Sequence, residues 1–159
     1  MTTVTLRPYN PSDTKRLAHI YIQAALILGK TQYTEQQVQM WADYPVQYFD
    51  EFKTMLFNGD TYVAISDCGE ILGFGQLCPT DYVTLLYVLP EFSRSGVGTT
   101  IYKQLENIAQ DNQQKCLSVT ASKISKGLFE KLGFEVIDTE ISLRNDIEFE
   151  RYNMVKIFI

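Results

Sequence analysis

One stretch limits the fold of this chain more than any other: Leu85 to Gln110, LLYVLPEFSRSGVGTTIYKQLENIAQ. From Thr84 to Leu89 the residues are apolar, β-branched or aromatic, which predicts a buried strand. Pro90 has no N–H for a ladder hydrogen bond and ends it. The loop Ser93-Arg94-Ser95-Gly96-Val97-Gly98-Thr99 follows. Val97, Ile101, Leu105 and Ile108 then recur at helical spacing, so the loop opens straight into an amphipathic helix. Strand, glycine loop and helix N-terminus together make an anion site, because unpaired amides and the positive end of the helix dipole converge there. Glycine also lets backbone approach a phosphate closely. A bare Gly-x-Gly equally reads as a tight strand-to-helix connection. Two better-known phosphate loops do not fit: no Gly-Lys-Ser/Thr follows, and the third glycine of a dinucleotide fingerprint is missing.

The remaining elements follow from hydropathic period and turn chemistry. A short strand is expected over 4–9. Asn10-Pro11-Ser12-Asp13 supplies capping residues, and Leu17, Ile20, Tyr21, Ala24 and Leu28 mark a helix face that Gly29 is expected to close. His19 lies beside that face and reads as packed or partly exposed. Thr34 and Gln37 have capping-box spacing ahead of Val38 and Trp41, and Pro45 is expected to interrupt that helix. Tyr48, Phe49, Phe52, Met55 and Leu56 form a third amphipathic segment, stopped at Asn58-Gly59. The period then changes. Strands are expected over 61–66 and 71–78, joined by the turn residues Asp67-Cys68-Gly69-Glu70. Gly73 and Gly75 inside the second strand imply a bulge or a close neighbour. Past the main helix come a strand over 115–120, a short helix through Phe129 and Leu132, and strands over 134–141 and 148–159 around Arg144-Asn145-Asp146. The expectation is one mixed α/β domain over 1–159.

A net charge of −5 with no basic run disfavours nucleic acid as a partner. No apolar stretch approaches the roughly 20 residues of a membrane span. The opening MTTVTLRPYN lacks a signal-peptide profile, so a cytoplasmic protein is expected. Cys68, Cys78 and Cys116 are far apart and read as reduced thiols; no Cys/His pattern points to a metal.

The run LLYVLPEFSRSGVGTTIY resembles the coenzyme A loop of the GNAT superfamily of N-acetyltransferases. That pattern is Q/R-x-x-G-x-G/A, preceded by a strand ending in a Val-x-Pro-like segment. Ser93 stands where the family usually has Gln or Arg. SKGLFEKLGFEV is similar to the second signature, in which an aromatic pair precedes E-K-L-G-F. With the order of elements, the match covers nearly the whole chain. The resemblance implies a GNAT-type fold: a mixed, mostly antiparallel central sheet flanked by helices and splayed at the cofactor site. It implies acetyl-CoA as co-substrate, with pyrophosphate against Arg94, Ser95, Gly96, Val97, Gly98 and Thr99. Pantetheine would then run along Leu86, Tyr87 and Val88, beside Ser122 and Phe129. Many members have Asn where Ser122 stands; Ser122 also reads as a helix N-cap.

The resemblance further implies that the Val88 amide polarises the thioester carbonyl while a neutral amine attacks. A general base must take the ammonium proton. Asp81, near the start of the central strand, reads as that base or as a turn residue; Tyr82, Thr84 and Tyr87 are alternatives that would hold a water. Phe129 occupies the place of the family tyrosine that protonates the departing thiolate, and it has no proton to give. Tyr33 and Trp41, with Tyr21, either wall the acceptor pocket or fill the core. Three readings follow: an N-acetyltransferase for a small-molecule amine, one for a protein or peptide, and a non-catalytic module that binds acyl-CoA. The apolar C-terminal strand, taken as an exposed edge, suggests a homodimer.

Overall fold

The two periods in the sequence resolve into seven strands and five α-helices among residues 2–159, which this computed structural model describes. The first half contains β1 (Thr5–Pro8), α1 (Thr14–Gly29), α2 (Glu35–Gln47), α3 (Phe49–Asn58), β2 (Asp60–Ile65) and β3 (Ile71–Leu77). The second half contains β4 (Tyr82–Val88), α4 (Val97–Asp111), β5 (Cys116–Ala121), α5 (Lys126–Lys131), β6 (Glu135–Arg144) and β7 (Ile147–Ile157). All strands join one sheet in the order β1-β2-β3-β4-β5-β7-β6. Every neighbouring pair is antiparallel except β4 with β5, which are parallel.

That parallel pair barely forms. Only Tyr82↔Ser118 and Val83↔Val119 are in register, and beyond them the strands part. β4 meanwhile stays paired with β3 as far as Gly73↔Val88. The cause is local. Gln76 faces Leu85 but its neighbour Leu77 faces Val83, so Thr84 is an extra residue on β4. Such a bulge bends its strand and increases the twist, and here it turns β4 away from β5. The mixed, mostly antiparallel sheet with one splayed junction is the architecture expected from the sequence.

Helices cover both faces. Tyr87 points towards α1, its ring 4.6 Å from that of Tyr21. Its neighbour Val88 points to the opposite face, where α4 lies, as alternation along a strand requires. A Cβ built on Gly75 would sit 2.7 Å from Ile101 Cγ2, and one on Gly73 would sit 2.9 Å from the Tyr87 carbonyl oxygen. The two glycines therefore let α4 approach β3, and the expected irregularity is there too: Ala64 faces Gly73 but Ile65 faces Ile71, so Leu72, beside Gly73, is an extra residue on β3. Ile101 and Leu105, both fully buried, use that approach to join the core.

Local signals hold where they concern a few adjacent residues. Asn10 accepts from the Ser12 amide at 3.0 Å, and Asp13 accepts from the Asn10 amide at 2.8 Å, opening the turn into α1. At α2, Thr34 and Gln37 exchange side-chain-to-amide bonds of 3.2 and 2.9 Å. Asn145 and Asp146 both have positive φ, 49° and 65°, in the β6–β7 turn. Three expectations change. Pro45 lies inside α2, near its end, where its missing N–H costs one bond; with Val38 and Ala42 it completes the buried stripe. Gly29 is the last residue of α1 and not a left-handed cap; a Cβ there would lie 3.2 Å from Trp41 Cζ3. Finally, β7 is not an edge. It pairs with β5 on one side and β6 on the other, and its Met154 is fully buried. The edge strands are β1 and, on this side, β6, so the argument for a homodimer through residues 152–159 loses its basis. His19 is exposed on α1.

Candidate functional site

The loop after β4 is shaped by two left-handed residues, Arg94 with φ 60° and Gly96 with φ 93°. Ser95 Oγ donates to the Phe92 carbonyl and the Thr2 amide donates to the Ser95 carbonyl at 3.0 Å, which tie the loop down. Gly96 is the N-cap of α4, and no side chain accepts from the helix's first-turn amides. The contrast is with α2, where Thr34 fills that role. Amides at Val97, Gly98 and Thr99 thus remain available at the positive end of a 15-residue helix. Gly98 lies in that first turn; a Cβ on it would meet Val88 Cγ2 at 3.6 Å, an ordinary contact. Arg94 is exposed and holds no carboxylate among the described residues. If this loop is the pyrophosphate site that the resemblance implies, Arg94→Ala weakens acetyl-CoA binding by about 1 kcal/mol or less, with the loss shrinking as salt rises; titration at low and high ionic strength checks it.

The gap beside β4 is lined by peptide groups. The Leu89 amide donates to the Leu72 carbonyl at 2.8 Å, so by antiparallel alternation Leu85 and Tyr87 address β3. Leu86 and Val88 turn their amides and carbonyls into the gap. Tyr87 contributes its ring on the α1 face instead. Across the gap, β5 ends at Ala121 and Ser122 opens a turn. Ser122 Oγ accepts from the Ile124 and Ser125 amides at 3.2 and 3.1 Å, and Ser125 Oγ accepts from the Ser122 amide at 3.0 Å. Ser122 therefore holds the turn before α5, while Ser125 is that helix's N-cap residue. Phe129 is 2% exposed and packs edge-on against Tyr102 and Phe134, with ring centroids 6.4 and 5.2 Å away.

Asp81 stands at the other end of β4, where the strands are still joined: its carbonyl accepts from the Ser118 amide at 2.9 Å. Its side chain is exposed. Seven residues of extended strand separate it from Val88, roughly 20 Å at ~3.3 Å per residue. The structure does not bring the two together. Tyr82 instead enters a hydrogen-bonded chain: it donates to Thr120 Oγ1 at 2.6 Å, and Thr120 donates to Asn153 Oδ1 at 3.0 Å. Thr84 Oγ1 is occupied, donating to the Cys78 carbonyl at 3.0 Å.

On the α1–α2 face the gap is walled by aromatic rings. Trp41 Nε1 donates to the Tyr87 hydroxyl at 3.2 Å, and Tyr87 stacks on Phe74 with centroids 5.6 Å apart. Burial raises the phenols of Tyr21 and Tyr87, so both remain neutral hydroxyl groups. Tyr33 packs edge-on to Trp41 at 5.8 Å, and its hydroxyl accepts from the Lys123 amide at 2.9 Å. Tyr33 and Trp41 thus combine core packing with a position over the gap. Sequence reasoning missed Tyr44, which continues the tyrosine row at 6.1 Å from Tyr21, and Arg144, read only as a turn residue. Nothing in the linear pattern pairs Arg144 with α2. A pocket of about 240 Å³ nevertheless joins them, between α2, α3 and the β6–β7 turn. A larger hollow of about 400 Å³, bordered by Lys15, His19 and Phe49, lies away from the gap on the outer side of α1.

Comparison with known proteins agrees with this geometry. Residues 30–156 match the acetyltransferase (GNAT) domain family. The chain is 30% identical over 139 residues to an uncharacterized N-acetyltransferase of Escherichia coli K12, YafP, covering 86% of this chain and 85% of that one. A GCN5-related N-acetyltransferase from Rhodopseudomonas palustris superposes with a TM-score of 0.95 at 29% identity, over 99% of this chain and 98% of its own. The PaiA N-acetyltransferase of Thermoplasma acidophilum, solved in complex with coenzyme A, shares the fold at a TM-score of 0.80 and 16% identity, over 99% and 100% of the two chains.

Proposed function

The chain belongs to the GNAT family of acetyltransferases, and on that premise we propose that it transfers the acetyl group of acetyl-CoA to the amine of a small molecule. One observation carries the reading: β4 leaves β5 after Val83↔Val119, and Leu86 and Val88 face the resulting gap beside the uncapped start of α4. Acetyl-CoA supplies an acyl group already activated as a thioester. The amides from Ser95 to Thr99, with Arg94, hold its pyrophosphate. Leu86 and Val88 pair with pantetheine as a missing strand would. The Val88 N–H donates to the carbonyl oxygen as negative charge develops there, which favours the transition state over the bound thioester. As the amine nitrogen bonds to the carbonyl carbon, the carbon–sulfur bond breaks and sulfur departs as thiolate. The attacking nitrogen gives up its proton to water, because Asp81 is remote and Tyr82 already donates to Thr120. The 240 Å³ pocket at the acceptor end is below the ~300–1,000 Å³ of drug-sized sites, and this supports a small acceptor over a folded protein.

Phe129 favours a second reading, a module that binds acyl-CoA without turnover. A positioned acid is worth about 10²–10⁴-fold in rate, and phenylalanine forgoes it. A thiol with a pKa near ~8.5 is nonetheless a tolerable leaving group. The decisive experiment is acetyl-CoA-dependent thiol release across a broad amine panel, with the parent and Phe129→Tyr. Thiol release by the parent is expected. Phe129→Tyr should hold or raise kcat with acetyl-CoA affinity little changed. Its free form should lose about 1–3 kcal/mol, since the new hydroxyl enters an apolar cluster. Acetyl-CoA binding by both proteins with no thiol released by either would replace the enzyme reading with the binding module.

A further inference from the structure

Arg7, Arg16 and Arg151 each hold a carboxylate within 2.8 Å. Arg144 holds none among the described residues, although an arginine is the side chain best suited to do so. It sits at the end of β6 and lines the 240 Å³ pocket with Met40, Tyr44, Tyr48, Glu51 and Asn145. From Tyr44 the tyrosine row leads inward through Tyr21 to Tyr87, with centroid separations of 6.1 and 4.6 Å. Tyr87 lies between the two residues that face the splayed gap. A row of packed rings, with Tyr21 buried in its middle, therefore runs from the pocket that Arg144 lines to the residue between Leu86 and Val88.

We propose that this pocket takes an amino-carboxylate acceptor, an α-amino acid or a close analogue, with Arg144 binding the carboxylate and the amine directed along the tyrosines to the acetyl group. The inference rests on the acetyl-transfer reading for its direction and on the pocket for its chemistry. Arg144 presents a planar fork that can hold both carboxylate oxygens, which fixes orientation as well as charge. Burial raises the phenols of Tyr21, Tyr44 and Tyr87, and the Arg144 charge partly offsets it at all three. Glu51 borders the same pocket from α3 and raises Tyr44 further, but does not pair with Arg144. Its competition is removable.

The test compares kcat/KM for the proteinogenic L-α-amino acids and their α-amides in the parent, Arg144→Gln, Arg144→Lys and Glu51→Gln. The amide keeps the size and removes the charge, and comparing acid-to-amide ratios between proteins cancels the difference in amine basicity. For the best pair, Arg144→Gln is expected to lower the ratio about 10- to 100-fold. Arg144→Lys should restore part of it, and Glu51→Gln should keep or raise it. Equal ratios in the parent and Arg144→Gln would overturn the proposal, as would an equal fall for acid and amide. If no amine releases thiol, acetyl transfer fails as a reading, and thermal shifts by the same amino acids with coenzyme A present decide the pocket. Stabilisation of the parent but not of Arg144→Gln would then uphold the carboxylate site; stabilisation of neither would sink both.

Discussion

Gly96→Val is expected to abolish the rise in melting temperature that acetyl-CoA gives the parent protein. Gly96 has φ 93° and ψ −6°, a left-handed conformation that costs an L-residue about 1–2 kcal/mol and a β-branched one more. A valine there relieves its strain by moving the loop, and the amides of Val97, Gly98 and Thr99 then no longer converge. At a hundred times Kd, a ligand stabilises by about 2.7 kcal/mol, or ~5–11 °C for a chain of this size. Differential scanning fluorimetry resolves the loss of such a shift. Gly98→Ala should be far milder, because its Cβ finds ordinary contacts at 3.6 and 3.8 Å and its backbone needs no positive φ. A full shift retained by Gly96→Val would place the phosphates elsewhere.

The largest stability effect is expected at Phe74. Its ring is fully buried, stacked on Tyr87 at an interplanar angle of 21° and edge-on to Phe52 at 6.5 Å. Phe74→Ala should cost about 3–5 kcal/mol, through lost burial and the cavity left under Tyr87. That corresponds to a drop of roughly 6–20 °C in Tm. It should also separate two functions. The loop over 93–99, proposed to hold the phosphates, follows the end of β4 at Val88, whereas Phe74 pairs with Tyr87 within the sheet, so acetyl-CoA affinity should survive near its parent value. Tyr87 loses the platform that sets its hydroxyl against Trp41, so the acceptor KM should rise. Chemical denaturation and steady-state kinetics measure the two separately. A loss below about 1 kcal/mol would mean that the core closes around the hole.

The sequence by itself determined whatever a few neighbouring residues decide. The strand from Thr84, its end at Pro90 and the helix entered at Val97 depend on period and on backbone chemistry within one short run. The capping box of Thr34 and Gln37 and the turn at Asn145-Asp146 are of the same kind. Each is a contest of propensity, orphan amides or steric room that is settled locally. The tertiary structure alone decided which strand is an edge. An apolar run such as Met154-Val155 looks alike at an edge or between two partners, and β7 has two. It also decided that Gly29 answers to Trp41, that Thr84 is squeezed out as a bulge, and that Asp81 stays at the closed end of the gap. Arg144 is the clearest instance: it lies a hundred positions from Tyr44 in the chain. Their meeting follows from the pairing of β6 with β7 and the packing of α2, and no periodicity within either segment encodes it, because a contact between distant segments is fixed only when the sheet and helices close together.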